Sequence, residues 1–295
     1  MRKIVHLAAK RGFCSGVVRA LDAVERALKE GPLPVYVLHE IVHNEHVVAH
    51  WKARGVRFVN EPEEAEGGTL IFSAHGVSRA IEEPAALGVR LIDATCPIVK
   101  ALHRKAEAFA AEGRKIILFG KKGHREIEGV IGRVDSDVAV IESKEALAAY
   151  LASLPEEEKR NGLFACLSQT TLNADDVAEM RGILASSLNR LAVDAEVCFA
   201  TRDRQNAVRL LAEQCEFVII VGSPGSSNSR RLCETASAAG ARAILLSEPE
   251  KFDPSLLDGV SSVGVSSGAS APEELVRELL GVLKRHGFEE VPDER

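Results

Sequence analysis

The sequence predicts an α/β protein built from three pseudo-threefold-related domains, each a small, mostly parallel sheet flanked by helices. Three observations predict it. An apolar, strand-like run leads through a short turn into a cysteine and then a helix at Cys14, Cys96 and Cys198. A second apolar strand follows each helix and opens into a polar loop, which brings His43, His124 and Ser226 to matching distances from their cysteines. Each unit then closes with two more strands, the first followed by an acidic stretch and the second ending in His or hydroxyl residues.

In the first unit, "IVHLAA" gives way to "RGFCSGVVRA", where glycines flank Cys14 just before a helix. "PVYVLHE" runs into "IVHNEHVV", then come "GVRFVNEPEE" and "GTLIFSAHGVS", which ends at His75. The second unit opens with "VRLIDATCPIVKALHRKAEAFAAEG": Pro97 suits a first helical turn, and Val99, Leu102, Ala106 and Phe109 recur at helical spacing. "KIILFG" enters "KKGHREIEGV" with His124 and Glu126; "DVAVIESKEAL" and "NGLFACLSQTTLN" follow, the last carrying Thr170 and Thr171. The third unit repeats this order with "RLAVDAEVCFATRDRQNAVRLLAEQ", "EFVIIVG" into "SPGSSNSRRL", "RAILLSEPEKF" and "SSVGVSSGASAPEE". The expected division is 1–96, 97–194 and 195–282, with a polar C-terminal tail at 283–295.

Composition narrows the function classes. A net charge of −6 and 4% aromatic residues give neither a basic footprint nor stacking platforms for nucleic acid. The N-terminal apolar run is short and soon interrupted by Lys10 and Arg11, which speaks against a signal peptide, and no apolar run reaches membrane-spanning length. A cytoplasmic location is the default expectation. Six cysteines without a secretion signal read as thiols or metal ligands rather than a disulfide framework.

Ligands of open parallel sheets bind beyond the carboxyl ends of the strands, where the polar residues named above fall. Three units around one axis would turn those ends toward a central cavity. Each of the three cysteines would lie at a helix N-terminus, which favours the thiolate. Three ligands leave one metal position open, and soft thiolates suit an iron-sulfur cluster, zinc or copper(I). Around them, His43, His75, His124, Ser226, Ser227, Asn228 and Ser270 supply hydrogen-bond donors suited to a phosphate or diphosphate.

Each residue also has a purely structural alternative. Ser270 with Glu273 forms a capping-box pattern, Asn228 or Ser229 could cap the helix at "SRRLCE", and Thr170-Thr171 could be a turn before a helix capped by Asn173. Glu126 is either a solvated loop carboxylate or, if buried near other anions, a proton carrier with its pKa raised toward neutrality. Cys166, Cys215 and Cys233 lack counterparts in the repeat and read as packing residues. His39, His46, His50 and His103 read as structural or solvated.

Taken together, "GFCSGVVRA", "HN" at His43, "SAHGV", "DATCP", "GHREIEG", "SQTT", "CFATRDRQ", "SSNS" and "SGASAPEE" occur in the order seen in one enzyme family. From Cys14 to Glu273 the chain resembles the 4-hydroxy-3-methylbut-2-enyl diphosphate reductases of isoprenoid biosynthesis, which close the methylerythritol phosphate pathway. The resemblance implies a central [4Fe-4S] cluster on Cys14, Cys96 and Cys198, with one open iron taking the allylic hydroxyl of the substrate. It implies a diphosphate held by His43, His75, His124, Ser226, Ser227, Asn228 and Ser270. It further implies a catalytic group of Glu126 as proton donor, Thr170 beside it and His124, with Thr171 a weaker candidate. Isopentenyl and dimethylallyl diphosphate would be the products, and electrons would come from a ferredoxin or flavodoxin system. Two positions depart from the family pattern: Arg125 where proline is expected, and Pro224-Gly225 where Lys-Asn is more usual. The competing readings are a zinc-dependent hydrolase of a phosphorylated small molecule and a non-enzymatic iron-sulfur redox sensor.

Overall fold

The computed structural model describes residues 2–85 and 88–291. Its strands are β1 (Lys3–Leu7), β2 (Val35–Leu38), β3 (Arg57–Val59), β4 (Thr69–Phe72), β5 (Arg90–Asp93), β6 (Lys115–Phe119), β7 (Val138–Ile141), β8 (Phe164–Ser168), β9 (Leu191–Val193), β10 (Phe217–Val221), β11 (Arg242–Leu246), β12 (Ser262–Ser267) and β13 (Phe288–Glu290). They form three sheets, ordered β11-β10-β12-β1-β13, β3-β2-β4-β5 and β7-β6-β8-β9. Every pairing is parallel. The chain is therefore α/β with helices as the crossovers, as the alternating pattern predicts.

The chain divides into two compact units. One comprises residues 1–17, 42–50 and 199–295, and holds the five-stranded sheet. Its interior strand β10 is buried on both faces: Phe217, Ile219 and Val221 pack with Val276, Leu279 and Leu283 of the Glu273–Arg285 helix, while Val218 and Ile220 pack with Val208, Leu211 and Leu232 of the Phe199–Gln214 and Ser227–Ala238 helices. Two-faced burial is why these strands read as continuous apolar runs rather than alternating ones.

Two features of this sheet go beyond the sequence reading. The opening strand β1 pairs with β12, Val5 opposite Val263 and Leu7 opposite Val265, so it joins the sheet of the third repeat. The stretch read as a polar tail contains β13, which pairs with β1 because Phe288, only 2% exposed, anchors it in the core while Glu289 and Glu290 face outward. Residues 292–295 of that expected tail lie outside the described residues.

The other unit comprises residues 18–41 and 51–198, with both four-stranded sheets. In its β6, Ile117 and Phe119 pack against Leu147, Val177 and Leu184, whereas Ile116 and Leu118 pack against Leu102, Ala106, Ile127 and Val130. The second group lies on the Pro97–Ala111 and Arg125–Ile131 helices, which thereby fix the positions of Cys96 and Glu126. Among the described residues, no helix is long and apolar enough to cross a membrane.

Candidate functional site

All three repeat cysteines occupy one structural address. Cys14, Cys96 and Cys198 immediately precede the helices Ser15–Glu30, Pro97–Ala111 and Phe199–Gln214, and all three are partly exposed. Each is fixed by its backbone N–H, donated to Ala269 O at 3.2 Å by Cys14, to Ala74 O at 3.0 Å by Cys96, and to Thr170 O at 3.0 Å by Cys198. Each cysteine thus stands near the positive end of a helix.

The other thiols are different. Burial pushes Cys166 up to about 12 and Cys215 up to about 11, and raises Cys233 as well, so these groups stay protonated. Cys215 packs beside Leu211, Val218 and Ala212. We expect Cys215→Ser to lose about 1–3 kcal/mol of stability, because it buries a hydroxyl among apolar groups, yet to keep the same metal content as the parent, as Cys233→Ser should. Denaturant titration and iron analysis of the two variants check this.

In the first unit, the loop before Cys14 turns at Gly12, whose φ of +70 lies in the left-handed region. Gly12 N donates to Ser267 Oγ at 2.8 Å, and Gly12 O accepts from Arg204 Nη2 at 2.7 Å. The neighbouring strand ends form a cradle. Gly222 and Gly268 follow β10 and β12, and a Cβ at either would run into Ser229 Oγ. The two glycines thus admit the first turn of the Ser227–Ala238 helix against the strand ends.

Ser226 caps that helix, its Oγ accepting from Ser229 N at 3.3 Å, so neither Asn228 nor Ser229 is the cap. Asn228 is 4% exposed, and among the described residues neither its Oδ1 nor its Nδ2 has a hydrogen-bond partner. A buried amide left in this state calls for a polar ligand. The Ser270–Glu273 capping box does not form. Pro272 is the N-cap of the last helix, Ser270 Oγ donates to His43 O at 3.1 Å, and Glu273 accepts from Arg11 instead. Ser270 therefore ties the half-buried His43 loop to the end of β12.

In the second unit, Glu126 is 2% exposed and accepts two hydrogen bonds, from Thr170 N at 2.7 Å and from Thr170 Oγ1 at 2.9 Å. Burial pushes its pKa up to about 7, partly countered by the two Thr170 donors. The solvated-loop alternative for Glu126 does not hold. Glu126 N donates to His124 Nδ1 at 3.2 Å, so the remaining ring proton of His124 sits on Nε2. His75 meets His124 edge to face, with ring centroids 6.1 Å apart, and Ser73 Oγ lies 3.2 Å from His75 Nδ1. Asn173 caps the following helix as expected. Thr171 Oγ1 is held by Gln169 Nε2 at 2.8 Å.

Sequence reasoning assigned no role to Gln169 or Arg204 and read His103 as structural or solvated. Gln169 is fully buried and also accepts from Lys121 N at 3.0 Å, joining two strand ends. Arg204 is 6% exposed and holds the Gly12 carbonyl. Both lie within quoted motifs, "SQTT" and "CFATRDRQ", but Lys121 and Gly12, which they reach across the fold, are remote in sequence.

A family model described as LytB protein matches residues 5–284. The chain belongs to the LytB protein family. It is 44% identical over 289 residues to 4-hydroxy-3-methylbut-2-enyl diphosphate reductase 2 of Burkholderia mallei, covering 97% of this chain and 87% of that one. Against 4-hydroxy-3-methylbut-2-enyl diphosphate reductase of Rhodococcus opacus, identity is 45% over 296 residues, covering 98% of this chain and 86% of the relative. Among solved structures, E-1-hydroxy-2-methyl-but-2-enyl-4-diphosphate reductase from Plasmodium falciparum superposes with a TM-score of 0.91 at 30% identity, covering 100% of this chain and 94% of that chain.

In this LytB chain the two departures are absorbed locally. Arg125 begins its helix, exposed, and donates to Glu128 Oε2 at 3.3 Å. Pro224 O accepts from Arg230 Nη1 at 2.6 Å, and Gly225 N donates to Ser223 Oγ at 3.0 Å, which keeps the turn before Ser226 closed. Among the described residues, no group of three or more His, Cys, Asp and Glu side chains is placed to hold a metal ion. Cysteines of an iron-sulfur cubane attach to different irons, so they need not converge on a single position.

Proposed function

We propose that this LytB chain is an iron-sulfur reductase that converts 4-hydroxy-3-methylbut-2-enyl diphosphate to isopentenyl and dimethylallyl diphosphate. The substrate rests on the names borne by relatives 42–45% identical across nearly the whole chain. The observation that carries the chemistry is the run of contacts from Cys198 N–H to Thr170 O, and from Thr170 N–H and O–H to buried Glu126. It ties a proposed ligand to a carboxyl able to hold a proton near neutral pH.

The donor set fits the family's cofactor. Cys14, Cys96 and Cys198 are partly exposed thiols at helix starts, unlike buried Cys166 and Cys215, and they would hold a [4Fe-4S] cluster. When bound, that cluster supplies electrons and an open iron position. The rest falls to side chains. Asn228, Ser226, Ser227 and Ser270 with His43 would hold the diphosphate, joined by His75 and His124, whose Nε2–H is a donor. Glu126, protonated below about pH 7, gives its proton to the departing hydroxyl, and Thr170 keeps the carboxyl aimed. Two electrons and two protons then yield the alkene and water. A ferredoxin or flavodoxin would supply the electrons, in the cytoplasm. The division into three repeats at 96 and 194 belongs to the same proposal, with β1 lent to the third sheet.

Two measurements bear on this reading. Anaerobic reconstitution with iron and sulfide should give a brown protein with sulfide-to-metal charge-transfer absorption; a colourless protein holding zinc would contradict it. Gly268→Ala, whose Cβ would displace Ser229 beside Asn228, should weaken pyrophosphate binding by about 10- to 100-fold, the loss of one charge-assisted hydrogen bond. Calorimetric titration reads that loss.

A further inference from the structure

We infer that His103 is a positioning residue, the spacer that holds the 73–77 turn carrying His75 against the Arg125–Ile131 helix carrying Glu126. The inference rests on the roles proposed for those two residues. His103 lies on the Pro97–Ala111 helix, is 3% exposed, and among the described residues its Nε2 has no hydrogen-bond partner. Its ring edge is pinched between two glycines. A Cβ at Gly76 would lie 2.7 Å from His103 Cε1, and a Cβ at Gly129 would lie 3.1 Å from Nε2 and 3.4 Å from Cε1. That same Gly129 Cβ would be 3.7 Å from the Gly76 carbonyl carbon, so turn, ring and helix meet at one point.

The pieces held there are the chemically important ones. Gly76 directly follows His75, and Gly129 lies one helical turn after Glu126. Two further contacts seal the corner: Arg79 N donates to Gly132 O and Arg133 Nε donates to Val77 O, both at 3.2 Å. The ring stays uncharged at neutral pH, since burial pushes His103 down to about 4 with Arg133 and Lys100 helping, against Glu107 and Asp93. Glu82, ion-paired with Arg133, and Arg79, ion-paired with Glu107, are the further charged groups on the elements that meet here, with His75, His124 and Glu126 itself. A neutral, rigid, flat side chain suits a spacer between two backbones. It also helps to keep solvent from Glu126, whose raised pKa depends on dryness.

The test pairs the ring with the glycine opposite it. His103→Ala should lower kcat by about 10- to 100-fold, the scale of a small misplacement of catalytic groups, and should move the alkaline limb of the pH profile to lower pH as water reaches Glu126. Gly129→Ala alone should do the same, because the new methyl pushes a ring that Gly76 blocks from retreating. In the double variant the methyl occupies the room the ring has left, and both the limb and kcat should recover toward the parent. An infrared titration of the Glu126 carboxyl, identified by its absence in Glu126→Gln, reads the same shift without turnover. It separates failure of this inference from failure of the proposed chemistry. An unchanged carboxyl titration in folded His103→Ala, or losses that simply add in the double variant, would overturn the positioning role. If His103→Ala does not fold, an unshifted limb in Gly129→Ala overturns it equally.

Discussion

Glu126→Gln lowers turnover by about 100-fold or more while the protein keeps its iron and binds substrate, the scale expected when a general acid is lost. The amide retains the shape of the carboxyl: its oxygen can still accept from Thr170 N, and its NH2, in the place of Oε2, can donate to Thr170 Oγ1, so the local structure should persist. What disappears is a proton available near pH 7. In the parent enzyme the active, protonated fraction is present below about pH 7 and falls as pH rises above it, because burial sets the carboxyl there. The stability consequence has the opposite sense to that of a salt-bridged acid. The folded chain binds this proton more tightly than the unfolded chain, whose carboxyl titrates near 4.5, so between about 4.5 and 7 stability declines with rising pH. Glu126→Gln should remove that decline and melt no lower than the parent at pH 8. Near-parental kcat in the variant would take Glu126 out of the mechanism.

Cys198→Ser brings turnover down to the level of iron-free protein, and does so without unfolding the chain. Serine is nearly isosteric with cysteine, the site is partly exposed, and the contact that orders it is made by the backbone, Cys198 N to Thr170 O. Thr170 therefore still bonds Glu126, and the buried carboxyl should titrate near 7 as before. This separates the two jobs on either side of Thr170: the sulfur holds iron and the carboxyl holds a proton. Iron analysis together with infrared titration of the one variant reads both. Full iron retention would mean that Cys198 is not a ligand.

Much of this was legible in the sequence. Apolar strands, helix starts and the recurring cysteine address follow from local patterns, and the polar loops at the strand ends follow from α/β topology. What escaped was set by contacts remote along the chain. β1 reads like any apolar parallel strand, and nothing within "KIVHL" names β12 as its partner, since that partner lies at the far end of the chain. Ser270 and Glu273 have the spacing of a capping box, but Pro272 takes the cap position, and Arg11 and the His43 carbonyl claim the two side chains. Within "GHREIEG" Glu126 can be either a solvated acid or a buried one, and the residue that decides it, Thr170, lies 44 positions along the chain. His103 is one more helical histidine until Gly76 and Gly129 close on it.

The central claim is that this chain moves electrons into an allylic diphosphate. The most direct test is a stoichiometric assay: anaerobic, iron-loaded protein, a titrated chemical reductant, and products resolved by mass spectrometry and NMR. The account predicts two electrons consumed for each isopentenyl or dimethylallyl diphosphate formed, with no inorganic phosphate released. Consumption of substrate without reductant, accompanied by phosphate, would contradict it.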